Sequence, residues 1–193
     1  MNVTTGRPIR GGTTMKENEV LDVIKSRRSV YSFSGEDIAD EELEAVLEAG
    51  RWAPSYANLQ PWKFVVVEDE GVKEELYEVA RSVTIFRGGI KQAPKIIAVA
   101  VDSRDDPRHF VEAGAVATQN MALAAWSLGI ASYWVGVFDR DGEKGSAERR
   151  ARKALNLPDG YRLISLMPMG KSDQKVVKER KELEELIVHD RFK

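Results

Sequence analysis

Cysteine is absent from this chain of 193 residues. No disulfide, thiolate nucleophile or zinc ribbon can therefore be built from it. Histidine is almost absent too. His109 and His189 are the two, far apart in sequence, so neither a Ser-His-Asp arrangement nor a paired-histidine metal motif has support, and no metal site is expected. No apolar run approaches the ~20 residues of a helical membrane span. A soluble, cytoplasmic chain without a membrane partner is the expectation. No charge dominates: 29 Lys and Arg against 31 Asp and Glu leave a formal net charge of -2, which provides no electrostatic footprint for nucleic acid.

Two nucleotide-binding signatures are missing as well. Gly170-Lys171-Ser172 looks like the end of a phosphate-binding loop, but the required glycine five residues earlier is Ser165, and Pro168 and Met169 break the glycine-rich stretch. No G-x-G-x-x-G follows any predicted strand, so a resident dinucleotide is unsupported. The segment Met1 to Thr14 is rich in Gly and Thr and lacks the apolar core of a signal peptide. It reads as a flexible leader, with Met15 as an alternative start and residues 15–193 as one domain.

What is present alternates between helix and strand. Helical spacing of apolar residues predicts a first helix from Glu17 to Ser26, with Val20, Leu21, Val23 and Ile24 on one face. A second begins at Asp40, read as its N-cap, buries Leu43, Val46 and Leu47, and stops at Pro54. Trp62 to Glu68 and Lys95 to Asp102 are continuously apolar, the pattern of strands covered on both faces. Further helices are expected over 72–83, 107–128 and 147–155, and further strands over 131–137 and 161–167. The 107–128 helix is dense in alanine, which suits either a tightly packed core or a subunit interface. The tail from Val176 to Ile187 is highly charged, with Leu183, Leu186 and Ile187 at helical spacing. This order predicts an α/β or α+β layered fold.

Three stretches carry chemistry. Arg27-Arg28-Ser29-Val30-Tyr31 closes the first helix. Arginines there complement the helix dipole, and guanidinium forks with a neighbouring hydroxyl equally suit a phosphate dianion. Lys178 and Arg180 flank Glu179, and an extended backbone would place both on one side. Such a charged tail can also be a solvated face. Ala53-Pro54-Ser55-Tyr56-Ala57-Asn58-Leu59-Gln60-Pro61-Trp62 is a proline-stiffened loop ahead of a strand. Its polar side chains suit the edge of a planar heterocycle, or they cap backbone groups within the loop.

R-R-S-V-Y, then A-P-S-x-x-N-x-Q-P-W, then Q-N-M-A-L-A-A-W-S-L-G-I, then W-V-G-V-F, closing on K-E-R-K-E-L-E-E-L-I-V-H, resembles the nitroreductase family in its characteristic order. The likeness spans nearly everything from Asn18 to the carboxyl terminus. It implies an α+β fold, a central mixed β-sheet flanked by helices, in a domain-swapped homodimer with FMN between the subunits. On that resemblance Arg27, Arg28 and Ser29 correspond to phosphate and ribityl contacts, and Lys178 and Arg180 to a carboxyl-terminal phosphate clamp. Pro54, Ser55 and Asn58 correspond to contacts reaching the flavin from the other subunit. Gly136 corresponds to the loop facing flavin N5, and Gly170 to a glycine near the cofactor. Tyr31 stands where the family is usually basic, so either the reduced flavin would be stabilised less, or the charge would come from Arg87 or another cation. The segment Ser82 to Gln92 is short where larger members carry a lid, which suggests an open site.

The activity so implied is ping-pong: NAD(P)H passes hydride to the flavin, and a small-molecule acceptor such as a nitroaromatic or quinone takes it in turn. No dedicated acid or base is required, so no catalytic residue is nominated. Rival readings are another reaction on the same scaffold, such as reductive dehalogenation or flavin fragmentation, a flavin-binding protein without turnover, and a structural dimer.

Overall fold

The computed structural model describes residues 18–85 and 88–192. The leader over 1–14, Met15 and Arg87 lie outside the described residues. In chain order the elements are α1 (Glu19–Ser26), α2 (Asp40–Arg51), a 3-10 turn (Tyr56–Asn58), β1 (Trp62–Val67), α3 (Glu70–Ala80), α4 (Gly88–Gln92), β2 (Lys95–Asp102), α5 (Phe110–Ser127), β3 (Ala131–Ser132), α6 (Ala147–Ala154), β4 (Tyr161–Gly170) and a second 3-10 turn (Leu183–Leu186).

The four strands lie in the order β1-β2-β4-β3, and each pairing between them is antiparallel. The sheet was expected to be mixed. Its parallel component among the described residues is a single bridge, Ser29 to Ser132. β2 is buried along its whole length, and its alternation sends Ile96 and Ala98 to one face, Ile97, Val99 and Val101 to the other. The first face is covered by α3, α4 and α6, which contribute Leu76, Val79, Ile90 and Ala151. The second is covered by α2 and α5 through Val46, Met121 and Ala125. A register shift between Val99 and Ala100 interrupts the β2–β4 ladder, so Leu163 and Leu166 of β4 join one cluster although three residues apart.

β1 departs from the reading of a strand buried on both faces. It stands at an end of the sheet, Lys63 is exposed, and Phe64, Val65 and Val66 are half-buried. Apolar composition reports a hydrophobic strand and does not say whether a second neighbour covers it. The 131–137 strand is also shorter than expected: two residues in β3, then an isolated bridge from Val135 to Leu166. β4 runs three residues further than expected, to Gly170.

α5 shows why its alanines matter. Gly114 lies so close to the sheet that a Cβ would stand 2.4 Å from Ile164 Cγ1, and Ala113, Ala117, Met121 and Ala125 are buried beneath it. The opposite side is open. Asn120, Leu123, Ala124 and Ser127 line a groove of about 440 Å³ with Val20, Val23 and Ile24 of α1 and Trp52 after α2. Val20 is 66% and Trp52 72% exposed. α1 therefore forms the apolar face expected of it, capped by Asn18, whose side chain accepts from Leu21 N–H at 2.9 Å, but leaves much of that face uncovered. In α2, Asp40 is the first helical residue and not the cap, and the Glu42 carboxylate accepts the Ala39 N–H instead. Among the described residues no helix is long and apolar enough to cross a membrane.

Candidate functional site

Arg27 sits at the carboxyl end of α1, which is tied to the far end of α5 by a 3.0 Å hydrogen bond from Trp126 Nε1 to Ser26 Oγ. Beyond Arg27 the chain runs beside the segment that follows β4. Ser34 N–H donates to Lys171 O, Ser172 Oγ to Ser32 O, and Tyr31 N–H to Gln174 Oε1. The decoy residues of the phosphate-loop pattern thus have structural work: Lys171 pairs with Glu42 at 2.6 Å, and the proton-bearing Ser172 braces the backbone. This pairing carries the tail back past Arg27. Val176 packs against the core, and Lys178 and Arg180 follow on backbone without helix, both exposed. The tail expected to be helical forms a single 3-10 turn, with Leu183 and Leu186 exposed.

The outcome is a crowd of like charges. Burial, then the charges of Arg180 and Arg28, lower the pKa of Arg27. Tyr31 acts the other way, and among the described residues no carboxylate acts on Arg27. Arg28 spends its Nη1 on the carbonyls of Lys25 and Arg27, at 2.6 and 2.9 Å, while its Nε is buried with no hydrogen-bond partner. Buried donors are seldom left so, and guanidiniums so crowded suit a dianion. Ser29 bridges to Ser132 of β3, and the Tyr31 ring meets Tyr133 edge-on, centroids 5.0 Å apart. Burial, with Tyr31 adding to it, raises the Tyr133 phenol well above its ordinary range.

Gly136 and Gly170 differ. Gly136 is exposed, its nearest non-neighbour atom to a built Cβ is Trp134 Nε1 at 3.9 Å, and its N–H has no partner among the described residues. Anchors on both sides hold this open strip: Val135 pairs with Leu166 on one side. On the other, Asp139 N–H donates to Glu148 Oε2 at 3.0 Å, and the buried Glu148 is held by Arg162. Gly170 instead is the buried last residue of β4, where a Cβ would meet Pro94 Cδ at 2.8 Å and Phe33 Cδ1 at 3.2 Å. It serves close packing.

The Pro54–Gln60 loop is elsewhere. Ser55 Oγ accepts Gln60 N–H at 2.9 Å, and Gln60 Nε2 donates to Asn58 O at 3.2 Å, so these two side chains cap the loop. The Asn58 amide has no partner among the described residues. Ala57, Asn58 and Gln60 all have positive φ, at 47°, 58° and 51°. Non-glycine residues there store backbone strain, which persists when the surroundings over-determine it. Tyr56 stacks on His109 at the amino end of α5, centroids 4.7 Å apart. An 18-residue helix is about 27 Å long. Loop and arginine cluster therefore lie near opposite ends of α5, too far apart for one small cofactor to touch both within a single chain.

The segment read as a shortened lid holds α4, packed down: Gly89 is wedged against Tyr31 O and Tyr133, and Gln92 accepts the Phe33 N–H. The connection that borders the Pro54–Gln60 loop is 103–109, which composition did not single out. The signal that could have found it is the Asp106–His109 spacing. Among the described residues no group of three or more His, Asp or Glu could hold a metal ion.

The family model for the nitroreductase family matches residues 24–88 and 81–171. A protein of Archaeoglobus fulgidus, provisionally named NADH dehydrogenase/NAD(P)H nitroreductase, is 34% identical over 155 residues, covering 79% of this chain and 84% of its own. A similarly named crystal structure from Parabacteroides distasonis superimposes with a TM-score of 0.82 at 27% identity, covering 91% of this chain and 100% of that one. A Bacteroides fragilis nitroreductase with bound FMN gives a TM-score of 0.71 at 28% identity over 89% of this chain and 98% of that one. With helices on both faces of an antiparallel sheet, a family model matched over most of its length and a relative 34% identical, the chain belongs to the nitroreductase family.

Proposed function

We propose that this protein is an FMN-dependent NAD(P)H oxidoreductase, that residues 15–193 form its single FMN-binding domain, and that it works as a homodimer. The observation that carries the reading is the crowding of Arg27 by Arg28 and Arg180, with no carboxylate among the described residues acting on Arg27. The donor set fits the phosphate of FMN: three guanidiniums, Lys178, and the buried, unpartnered Nε of Arg28. Ser29 is placed to hydrogen-bond the ribityl chain. The open backbone at Gly136 offers an N–H to the flavin ring, and Tyr31 contributes a phenol near it, while Gly170 shapes the floor. Bound FMN supplies hydride transfer.

The separation along α5 supports a site shared between two copies. Pro54, Ser55 and Asn58 of one copy would complete the arginine site of its partner. Exposed Val20, Ile24 and Trp52, and the tail residues Leu183 and Leu186, are surface that a second copy would cover, the tail by exchange between subunits. Obligate interfaces of this kind exceed ~2,000 Å². NAD(P)H would reduce the cofactor and leave, and nitroaromatics, quinones or related acceptors would then take the hydride on the same face.

Two defective chains test this. Arg27→Ala/Arg180→Ala breaks one half of a shared site and Pro54→Gly/Asn58→Ala the other. Each homodimer then has two broken sites, whereas a heterodimer has one intact site. At limiting FMN, co-expression is expected to restore flavin binding and NADPH oxidation above the level that either homodimer reaches. Heterodimers as inactive as both parents would refute the shared site, and a wild-type protein purifying with FAD would refute the cofactor. A bound flavin that NADPH does not bleach would make the protein a binder without turnover.

A further inference from the structure

The connection between β2 and α5 holds a polar array that the reading above does not use. Asp106 is 3% exposed. Its Oδ1 accepts from the backbone N–H of Arg108 at 3.3 Å, the N–H of His109 at 3.0 Å and the His109 imidazole Nδ1 at 3.1 Å. Its Oδ2 is buried and without a hydrogen-bond partner. A carboxylate can only accept, so Nδ1 carries the hydrogen and Nε2 is the nitrogen that titrates. A buried carboxylate that is only half satisfied calls for a donor partner, and the His109 imidazole is the ring donor that meets it. Burial opposes the charged form of Asp106, but the hydrogen bonds from His109 and Arg108 outweigh it, and its pKa stays below the usual carboxylate range.

The array is joined to the loop at residues 54–60. Tyr56 stacks on the imidazole at 4.7 Å and 27°. Asn58, two residues on, belongs to the same turn, closed by Asn58 N–H donating to Ser55 O at 3.1 Å. The positive φ of Ala57 lies between the two. One strained turn therefore sets Tyr56 back over His109 while it leaves the Asn58 amide free. Whatever planar group Asn58 meets on the partner copy lies next to His109, whose side chain is 44% exposed and open to solvent for exchange of a proton.

We infer that His109, held by Asp106 and backed by Tyr56, is the proton donor to the acceptor in the oxidative half of the reaction. This rests on the reading that the loop faces the cofactor of the partner copy. For a quinone the balance closes: a hydride from the reduced cofactor carries two electrons to the acceptor, His109 Nε2 gives one proton to its second oxygen, and the hydroquinone leaves. The neutral imidazole then recovers a proton from water. Asp106 is a positioning residue that holds Nδ1 and keeps Nε2 outward. The ionisable groups set against the ring are Asp106 on its own turn and the Tyr56 phenol from the loop, with Arg108 and Glu112 exposed along the chain on either side.

The test is rapid-mixing kinetics on the FMN-loaded protein, with reduction by NADPH and reoxidation by menadione or ferricyanide followed separately across pH. Ferricyanide takes one electron and no proton. A positioned acid contributes typically 10²–10⁴-fold, so His109→Gln is expected to slow reoxidation by menadione about 10²-fold and by ferricyanide far less. The wild-type menadione rate should fall as pH rises through the imidazole titration. That limb should vanish in His109→Gln, and Asp106→Asn should slow reoxidation by menadione more than by ferricyanide. Equal losses with both oxidants, or an unchanged pH limb in His109→Gln, would overturn the assignment and leave the flavoenzyme reading intact. A wild-type flavin that NADPH does not reduce would overturn both.

Discussion

The two ends of α5 are built on opposite principles. At the carboxyl end, near Arg27, charge is concentrated and left uncompensated: Arg27 is half-buried beside Arg28 and Arg180. At the amino end, near Asn58, the backbone is strained and each buried carboxylate has a side-chain donor: Asp102 is bound by Arg104 and Asp106 by His109. The first arrangement stores electrostatic repulsion that an anion relieves. The second stores torsional strain that fixes one uncharged amide in place. An anion site tolerates imprecise geometry because Coulomb attraction falls off slowly, whereas a hydrogen bond to a ring edge needs direction. The difference teaches that, on the proposed reading, retention and orientation of the cofactor would fall to separate ends of α5.

The most severe way to break the contrast is to remove both ends at once. Ile24→Asp puts a charge into the open groove between α1, α2 and α5. If a second copy covers that groove, light scattering should give the single-chain mass of 21.6 kDa, and flavin should be lost completely. A dimer that keeps its flavin would detach the groove from the interface. Next in size is the charged end alone. A hydrogen bond to a charged group contributes about 1.5–3 kcal/mol, so Arg27→Ala or Arg180→Ala should weaken FMN binding roughly 10- to 150-fold, read by flavin fluorescence. With saturating FMN, turnover per bound flavin should be close to wild type. Wild-type affinity in Arg180→Ala would reduce the tail to a solvated face. The strained end should respond in kind and not in amount: Asn58→Ala is expected to change FMN affinity less than about tenfold, one neutral hydrogen bond, and to shift the flavin midpoint potential. An affinity loss as large as that of Arg27→Ala would erase the division.

The smallest expected effect is one of pH. The guanidinium of Arg104 lowers the Asp102 carboxyl from 3.8 to about 2, and Asp106 is lowered as well. A carboxylate depressed in the folded state stabilises it above the ordinary carboxylate pKa, and that contribution is lost as pH falls through the folded value. Between about pH 4 and about pH 2 the amino end of α5 should loosen first. The segment at the other end is held by two neutral partners, Gln174 and Ser172, beside the ion pair of Lys171 with Glu42. Hydrogen exchange should show earlier loss of protection at Arg104 and His109 than at Tyr31 and Ser34, and the reverse order would contradict this.

Much of this was legible before any coordinates. KIIAVAVD marks a strand covered on both faces, and β2 is one, because uninterrupted apolar character is a local property that burial rewards directly. The Q-N-M-A-L-A-A-W run marks a helix with one packed side. The A-P-S-x-x-N-x-Q-P-W loop marks a stiff polar connection, since proline restricts the backbone wherever it stands. What spacing could not reveal was proximity between distant segments. Arg180 stands beside Arg27 because backbone bonds along 31–34 and 171–174 fold the tail back. β1 has one open edge because strand order is a global property of the sheet. His109 was dismissed as solitary, and only the packing of the β2–α5 connection against the loop gives it Asp106 and Tyr56. Sequence determined which groups the protein owns and which local conformations they prefer. Tertiary structure alone decided which of them meet, because a contact between segments far apart in the chain depends on every element packed between them.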